Sequence, residues 1–350
     1  MPALTRRQFI GLSLAAAAPG WLAACAKRLK ARNVNFFNWS AYIGKETLPR
    51  FKSETGVDVN YEEFSDEEEM FAKLRSGAHG YDLIVGTDYL IPRLTALNLI
   101  DLYPAGAIKN RGHLDERFRH PAYDRDEIYT LPYLWGMVGI GYNKQKLAKA
   151  PTSWRDLWDA QHAGRIGVLD NVRACVSIGL LMSGFSETTK NLKALEEVRE
   201  LYLRQKPLVK QYNSSTYVDS LVNGETHLAM AWSGDILQSL RENPQLDFIV
   251  PKEGSFMWVD NLCLVRGSEH REDALALADF LLRGEVAAEI TNTVRYASPN
   301  AQAKPFLDKA LLGDPRIYPT PELFSRLRFY TPLDAETTER WTRTWSDVKI

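Results

Sequence analysis

Tyr133-Leu134-Trp135-Gly136-Met137-Val138-Gly139-Ile140-Gly141-Tyr142 and Met257-Trp258-Val259-Asp260-Asn261-Leu262-Cys263-Leu264-Val265 are the two stretches that decide the fold. Both are apolar, carry no helical spacing and lie between longer tracts with a different rhythm. Before the first, short apolar runs alternate with helical patterns: Val34 to Phe37, a helix around Lys45 to Glu54, Val57 to Tyr61, a second helix, then Tyr81 to Val85. That alternation is the signature of an α/β sheet. The second helix opens on a capping box, Ser65-Asp66-Glu67-Glu68, presents Met70, Phe71 and Leu74 at helical spacing, and stops at Gly77. From Val138 the pattern repeats: Ile166 to Leu169, a helix from about Arg173, a charged helix through Glu196 and Glu200, Leu228 to Ala231, and a helix after Ser233.

Two α/β lobes joined by two extended crossover strands follow from this order, and such strands form a hinge. The expected lobes are residues 33–136 with 259–297, and 137–258 with 298–350. The tract from Pro299 ends with Trp341 and Trp345, read as a helix packed on one lobe. A cleft between the lobes then lies at the carboxyl ends of strands, where ligand sites of α/β proteins gather.

The N-terminus adds an address. Thr5-Arg6-Arg7-Gln8-Phe9-Ile10 precedes an apolar run from Ile10 to Ala18, the charged-then-apolar order of an export signal over residues 1–24. The run is too short to span a bilayer. Arg6 and Arg7 followed by Phe9 resemble a twin-arginine motif, whose cargo crosses already folded. Leu22-Ala23-Ala24-Cys25 resembles a lipobox, which makes Cys25 a lipid anchor at a membrane surface. The chain has 350 residues, 45% hydrophobic and 25% charged, with a formal charge of -1. That is enough for two domains, with no basic tail or stripe for nucleic acid. Apart from Cys25 the cysteines are Cys175 and Cys263, too few for a disulfide framework, and spacing leaves their pairing open.

The chemistry concentrates in aromatic rings and carboxylates at strand ends. Trp39-Ser40-Ala41-Tyr42 follows the first strand, Trp232-Ser233-Gly234-Asp235 follows a strand of the second lobe, and Trp258-Val259-Asp260 lies in the second crossover. In an extended segment the side chains repeat every two residues, so Trp258 and Asp260 project from one face. Ser233 can cap the next helix while Asp235 occupies its first turn. Such a set suits an organic cation. A ring face over an ammonium contributes about 0.5–2 kcal/mol, whereas a buried ammonium without a counter-charge costs several. The acids are therefore the indispensable half, with Asp235 and Asp260 as primary anchors.

Other chemistries lack their residues. Gly44-Lys45-Glu46 has neither the glycine spacing nor the Ser/Thr of a nucleotide-binding loop. His79, His113, His120, His162, His227 and His270 show no metal-ligand spacing, so neither a metal nor a cofactor is expected. Cys175 lies near a helix start, which can lower a thiol pKa, but no base accompanies it and no catalytic residue is assigned.

Taken together, Phe37-Asn38-Trp39-Ser40, Tyr81-Asp82-Leu83-Ile84-Val85, Leu131-Pro132-Tyr133-Leu134-Trp135-Gly136, Ala231-Trp232-Ser233-Gly234-Asp235, Pro251-Lys252-Glu253-Gly254 and Tyr296-Ala297-Ser298-Pro299-Asn300 resemble the periplasmic polyamine-binding proteins of bacterial ABC transporters. The likeness runs from about Asn33 almost to Ile350. It implies a two-lobed, type II periplasmic-binding fold that closes on putrescine or spermidine and presents it to a membrane permease, working as a monomer. By position it implies ligand contact for Trp39, Ser40, Tyr42, Thr87, Tyr89, Trp232, Asp235, Trp258, Asp260 and Tyr296.

Two positions depart from the family. Ala41 stands where an acid is usual, and in Asp170-Asn171-Val172-Arg173-Ala174-Cys175-Val176 an alanine, Ala174, replaces a glutamate. Asp88 is a candidate replacement, or else an N-cap for the following short helix. A site with fewer acids disfavours a multiply charged ligand, so a smaller or less cationic amine than spermidine is expected. The alternative is an amino-acid-like or opine-like zwitterion whose carboxylate meets Arg173 or Arg295. An enzyme on the same scaffold would need a nucleophile or acid/base pair that the sequence does not supply.

Overall fold

The two apolar stretches are neighbouring strands at the middle of one sheet in a computed structural model that describes residues 32–77 and 80–350. In chain order the strands are β1 (Asn33–Trp39), β2 (Asp58–Phe64), β3 (Leu83–Thr87), β4 (Ile100–Asp101), β5 (Leu131–Asn143), β6 (Ile166–Val168), β7 (Val209–Tyr212), β8 (Leu228–Trp232), β9 (Leu246–Ile249), β10 (Ser255–Val265) and β11 (Leu327–Phe329). Across the sheet they run β2-β1-β3-β10-β5-β8-β6-β7, with β4 and β11 on β10 and β9 on β5. The signal residues Arg6, Arg7 and Cys25 lie outside the described residues, as does His79. Among the described residues no helix is long and apolar enough to cross a membrane.

The pairing explains the two-lobed α/β architecture. On one side β2, β1 and β3 are parallel to one another, and on the other β8, β6 and β7 are parallel. Between them β10 and β5 are antiparallel, from Met257 opposite Met137 to Leu262 opposite Leu131. β5 hands over along its length: its first half pairs with β10, while Val138 to Tyr142 pair with β8. All thirteen residues of β5 and all eleven of β10 are buried, which is why both read as continuous apolar runs without alternation. They are the crossover strands.

Most expected elements appear within a few residues of their predicted bounds. The helix Glu67–Arg75 buries Met70, Phe71 and Leu74, and Gly77 follows it at φ 70°. Its cap is Asp66, not Ser65: the Asp66 carboxylate accepts from the N–H groups of Glu68 and Glu69, since a charged oxygen at that position outcompetes a hydroxyl one residue earlier. The helix Ser233–Ser239 begins at Ser233 itself, whose hydroxyl accepts from Met137 N–H instead of capping. The C-terminal helix Ala335–Lys349 buries Trp341 and Trp345 against the helices Val172–Met182 and Leu192–Gln205. Trp345 also donates to Asp170 at 2.9 Å, so an acid beside the second half anchors the end of the chain.

Cys175 and Cys263 are both free and fully buried, one in the helix Val172–Met182 and one on β10. Burial pushes both thiols up, so neither is an activated nucleophile.

Candidate functional site

Strands β1, β3 and β8 deliver Trp39, Thr87 and Trp232 at their carboxyl ends, and β10 crosses with Trp258 and Asp260. Asp260 faces Thr87 in the β3–β10 register, and the β5–β10 register slips between Asp260 and Asn261. Such an irregularity re-aims side chains locally. Trp258 and Asp260 do share a face, since the Trp258 indole N–H donates to Asp260 Oδ2 at 3.1 Å.

Asp260 is 2% exposed and accepts three hydrogen bonds: Tyr42 hydroxyl to Oδ2 at 2.7 Å, Thr87 hydroxyl to Oδ1 at 2.8 Å, and the Trp258 bond. Burial pushes its carboxyl up, and these donors, with the Trp39 indole nearby, pull it back. Asp235 is partly accessible and is held by Tyr296 hydroxyl on Oδ1 at 2.5 Å and Tyr217 hydroxyl on Oδ2 at 2.9 Å. Burial raises it too, against the two hydroxyls. The tyrosines around these acids are pushed well above their usual range, first by burial and then by the carboxylates, so they stay donors. Every donor on the two acids is neutral. Their negative charge is hydrogen-bonded but not neutralised, which leaves it available to a cation.

Rings connect the two acids. Trp232 and Trp258 meet edge to face at 4.7 Å, Trp258 and Tyr296 at 6.0 Å, and Tyr296 and Tyr42 at 5.0 Å. Gly136 makes room: a β-carbon there would lie 2.6 Å from the Trp258 ring and 2.9 Å from Tyr296. Trp39 sits half-buried at the end of β1, packed on Phe64 at 4.5 Å, with its indole nitrogen buried and without a hydrogen-bond partner.

The remaining positions are less uniform. Ser40 is exposed and its hydroxyl donates to Phe64 O. Ala41 is in the left-handed region at φ 55°, and its N–H donates to Glu63. Asp88 is 1% exposed but turned into the protein, where Oδ1 accepts from Tyr89 N–H and Oδ2 from Val259 N–H. It does not cap the helix Ile91–Ala96, whose N-cap is Leu90. Tyr89 is half-buried with its ring edge-on to Tyr330 at 5.7 Å, and its hydroxyl interacts with Glu67 and Asn171. Ala174 is fully buried in its helix.

Arg173 is 6% exposed and lies 4.9 Å from the centroids of both Tyr330 and Trp341. Its Nη2 donates to Thr331 O at 2.5 Å and pairs with Glu187 at 3.5 Å, while Nε and Nη1 are buried without a hydrogen-bond partner. Arg295 ends the helix Gly284–Val294 at φ 62°. One contributor was invisible in the sequence reading: Tyr217, which holds Asp235 and the Trp232 N–H. Tyr217 opens a short helix with no neighbouring site residue to mark it.

The crossover-strand architecture with rings and unneutralised acids at its strand ends defines a two-lobed solute-binding protein. The chain belongs to the bacterial extracellular solute-binding protein family, whose model matches residues 47–315. It is 31% identical over 355 residues to the putrescine-binding periplasmic protein SpuD of Pseudomonas aeruginosa, covering 96% of this chain and 97% of that protein. Its fold is similar to that of the spermidine/putrescine ABC transporter substrate-binding protein PotD of Streptococcus pneumoniae, solved with calcium and HEPES, at 28% identity and a TM-score of 0.81 over 91% and 98% of the two chains. The Tp0655 (TpPotD) lipoprotein of Treponema pallidum is similar at 25% identity and a TM-score of 0.82, over 90% and 99%.

Proposed function

We propose that the protein is the solute receptor of an ABC importer and captures a small polyamine by closing its two lobes, residues 33–136 with 259–297 and residues 137–258 with 298–350, about the crossover strands. The observation that carries this reading is the pair Asp235 and Asp260, two acids ringed by aromatic side chains and held only by neutral donors. Trp39, Tyr42, Trp232, Trp258 and Tyr296 frame the ligand, with Ser40, Thr87 and Tyr89 at its edge. Asp88 contributes through Tyr89, whose N–H it holds. The receptor acts as a monomer, carries no catalytic group, and passes its cargo to a membrane permease whose ATP hydrolysis belongs to another polypeptide.

A diamine such as putrescine is favoured over spermidine. Ala41 and Ala174 bring no carboxylate to the cleft, so a third ammonium would be buried without a counter-charge. Calorimetry with putrescine, cadaverine and spermidine tests the reading. Putrescine is expected to bind more tightly than spermidine by about tenfold or more. Tight spermidine binding without a response to either diamine would refute it. Arg173 already has a carboxylate beside it in Glu187, 3.5 Å away, which disfavours the zwitterion alternative.

Export through Arg6 and Arg7 and anchoring through Cys25 complete the proposal: a receptor that folds first and then stays tethered beside its permease. A lipoprotein among the similar structures supports the tether. Cys25→Ser is expected to move the protein from the membrane fraction to the soluble exported fraction and to abolish labelling by a radioactive fatty acid. Labelling that survives the substitution rules the anchor out.

A further inference from the structure

Glu67 opens the helix Glu67–Arg75, and the site as described so far gives it no task. Its neighbours are occupied: Asp66 caps the helix, Glu68 pairs with Arg93 at 2.6 Å and Glu69 with Lys73 at 3.3 Å. Among the described residues Glu67 has no cationic partner, and its Oε2 is buried without any hydrogen-bond donor. It lies where the two halves meet beyond the acids already described. Tyr89, from the loop after β3, places its hydroxyl with Glu67 and with Asn171, the cap of the helix Val172–Met182. The Tyr330 ring packs on Tyr89 and brings a second buried polar atom, its own hydroxyl, that has no partner.

A buried carboxylate oxygen without a donor costs free energy unless something else satisfies it. The other acids here are spent: Asp88 on two backbone N–H groups, Glu63 on the N–H of Ala41. We propose that Glu67 is a specificity-determining residue that receives the second ammonium of a diamine whose first ammonium is held by Asp235 and Asp260, so that the cleft selects diamines over monoamines. This rests on the reading of the cleft as a polyamine site. The Tyr89 hydroxyl supplies a neutral oxygen beside the same carboxylate, and the Tyr330 ring packs on Tyr89.

The electrostatics give the proposal a pH signature. Burial pushes the Glu67 carboxyl up to about 8, assisted by the negative charges of Glu68, Asp66 and Asp260 and opposed by the Tyr89 hydroxyl. Near neutral pH the free protein therefore holds a proton on Glu67, and an arriving ammonium displaces it. Diamine affinity rises with pH while Glu67 is protonated in the free protein, and levels off above about 8.

Calorimetry on the wild-type protein and on Glu67→Gln, with putrescine and with butylamine as its one-amine counterpart, tests this between pH 6.5 and 8.5. Glu67→Gln is expected to weaken putrescine by about tenfold or more at pH 8, to leave butylamine unchanged, and to remove the rise in putrescine affinity with pH. Glu67→Asp, one methylene shorter, is expected to retain the pH response at lower affinity. Putrescine binding unchanged in Glu67→Gln, or equal weakening of both amines, overturns the role of Glu67 while the polyamine reading stands. Failure of the wild-type protein to bind either amine overturns both.

Discussion

Asp260→Asn is expected to lower putrescine affinity by about a hundredfold or more, with little change in the unliganded thermal transition. Asn is nearly the same shape, and the network around position 260 tolerates it. Tyr42 and Trp258 both donate to one carboxylate oxygen, which the amide oxygen can replace, and the Thr87 hydroxyl can turn to accept from the amide nitrogen. What the amide cannot supply is charge. Removing one partner of a buried, hydrogen-bonded charge pair costs about 2–5 kcal/mol, because the other charge is left in a low-dielectric site. Calorimetry at one pH and salt concentration, beside a melting curve without ligand, separates the two effects. Affinity within about threefold of wild type would remove Asp260 from the anchor pair. The same electrostatics set a direction with pH: burial raises both Asp235 and Asp260, so their charge, and with it amine affinity, is lost as pH falls through the raised values.

How much of this was legible in the sequence depends on whether a residue is marked by its own neighbours. β5 and β10 stood out because burial on both faces removes alternation, and Trp258 and Asp260 because a two-residue period puts them together. The family resemblance supplied Thr87 and Tyr296, and the structure places Thr87 on Asp260 and Tyr296 on Asp235. Tyr217 and Glu67 carry no such mark. Tyr217 reaches Asp235 from a helix sixteen residues earlier than Ser233 only because β8 folds back beside it, and Glu67 stands in a run of acids whose other members face solvent. Asp88 shows the converse failure. An acid beside site residues looks like an anchor, but strand pairing turned its carboxylate toward the backbone of β10.

Gly234→Ala is expected to weaken putrescine binding by about tenfold to a hundredfold through a residue that touches no ligand charge. Gly234 lies in the first turn of the helix Ser233–Ser239, beneath the Tyr296 ring. A β-carbon there would fall 2.4 Å from two atoms of that ring and 2.5 Å from a third, so the ring must move. Tyr296 is 6% exposed and has little room to do so. Its hydroxyl holds Asp235 at 2.5 Å, and its ring packs on both Tyr42 and Trp258, which hold Asp260. One methyl group therefore disturbs the positioning of both acids at once, where loss of a single hydrogen bond would disturb one. Tyr296→Phe separates the two contributions: it removes the bond to Asp235 but leaves the ring in place, and a net hydrogen bond to a charged group is worth about 1.5–3 kcal/mol. If Gly234→Ala binds putrescine as wild type does while Tyr296→Phe is impaired, the ring is not what aligns the acids, and the hydroxyl alone matters. If both are impaired, with Gly234→Ala the weaker binder, the packed ring chain is the element that sets the two carboxylates for one ligand.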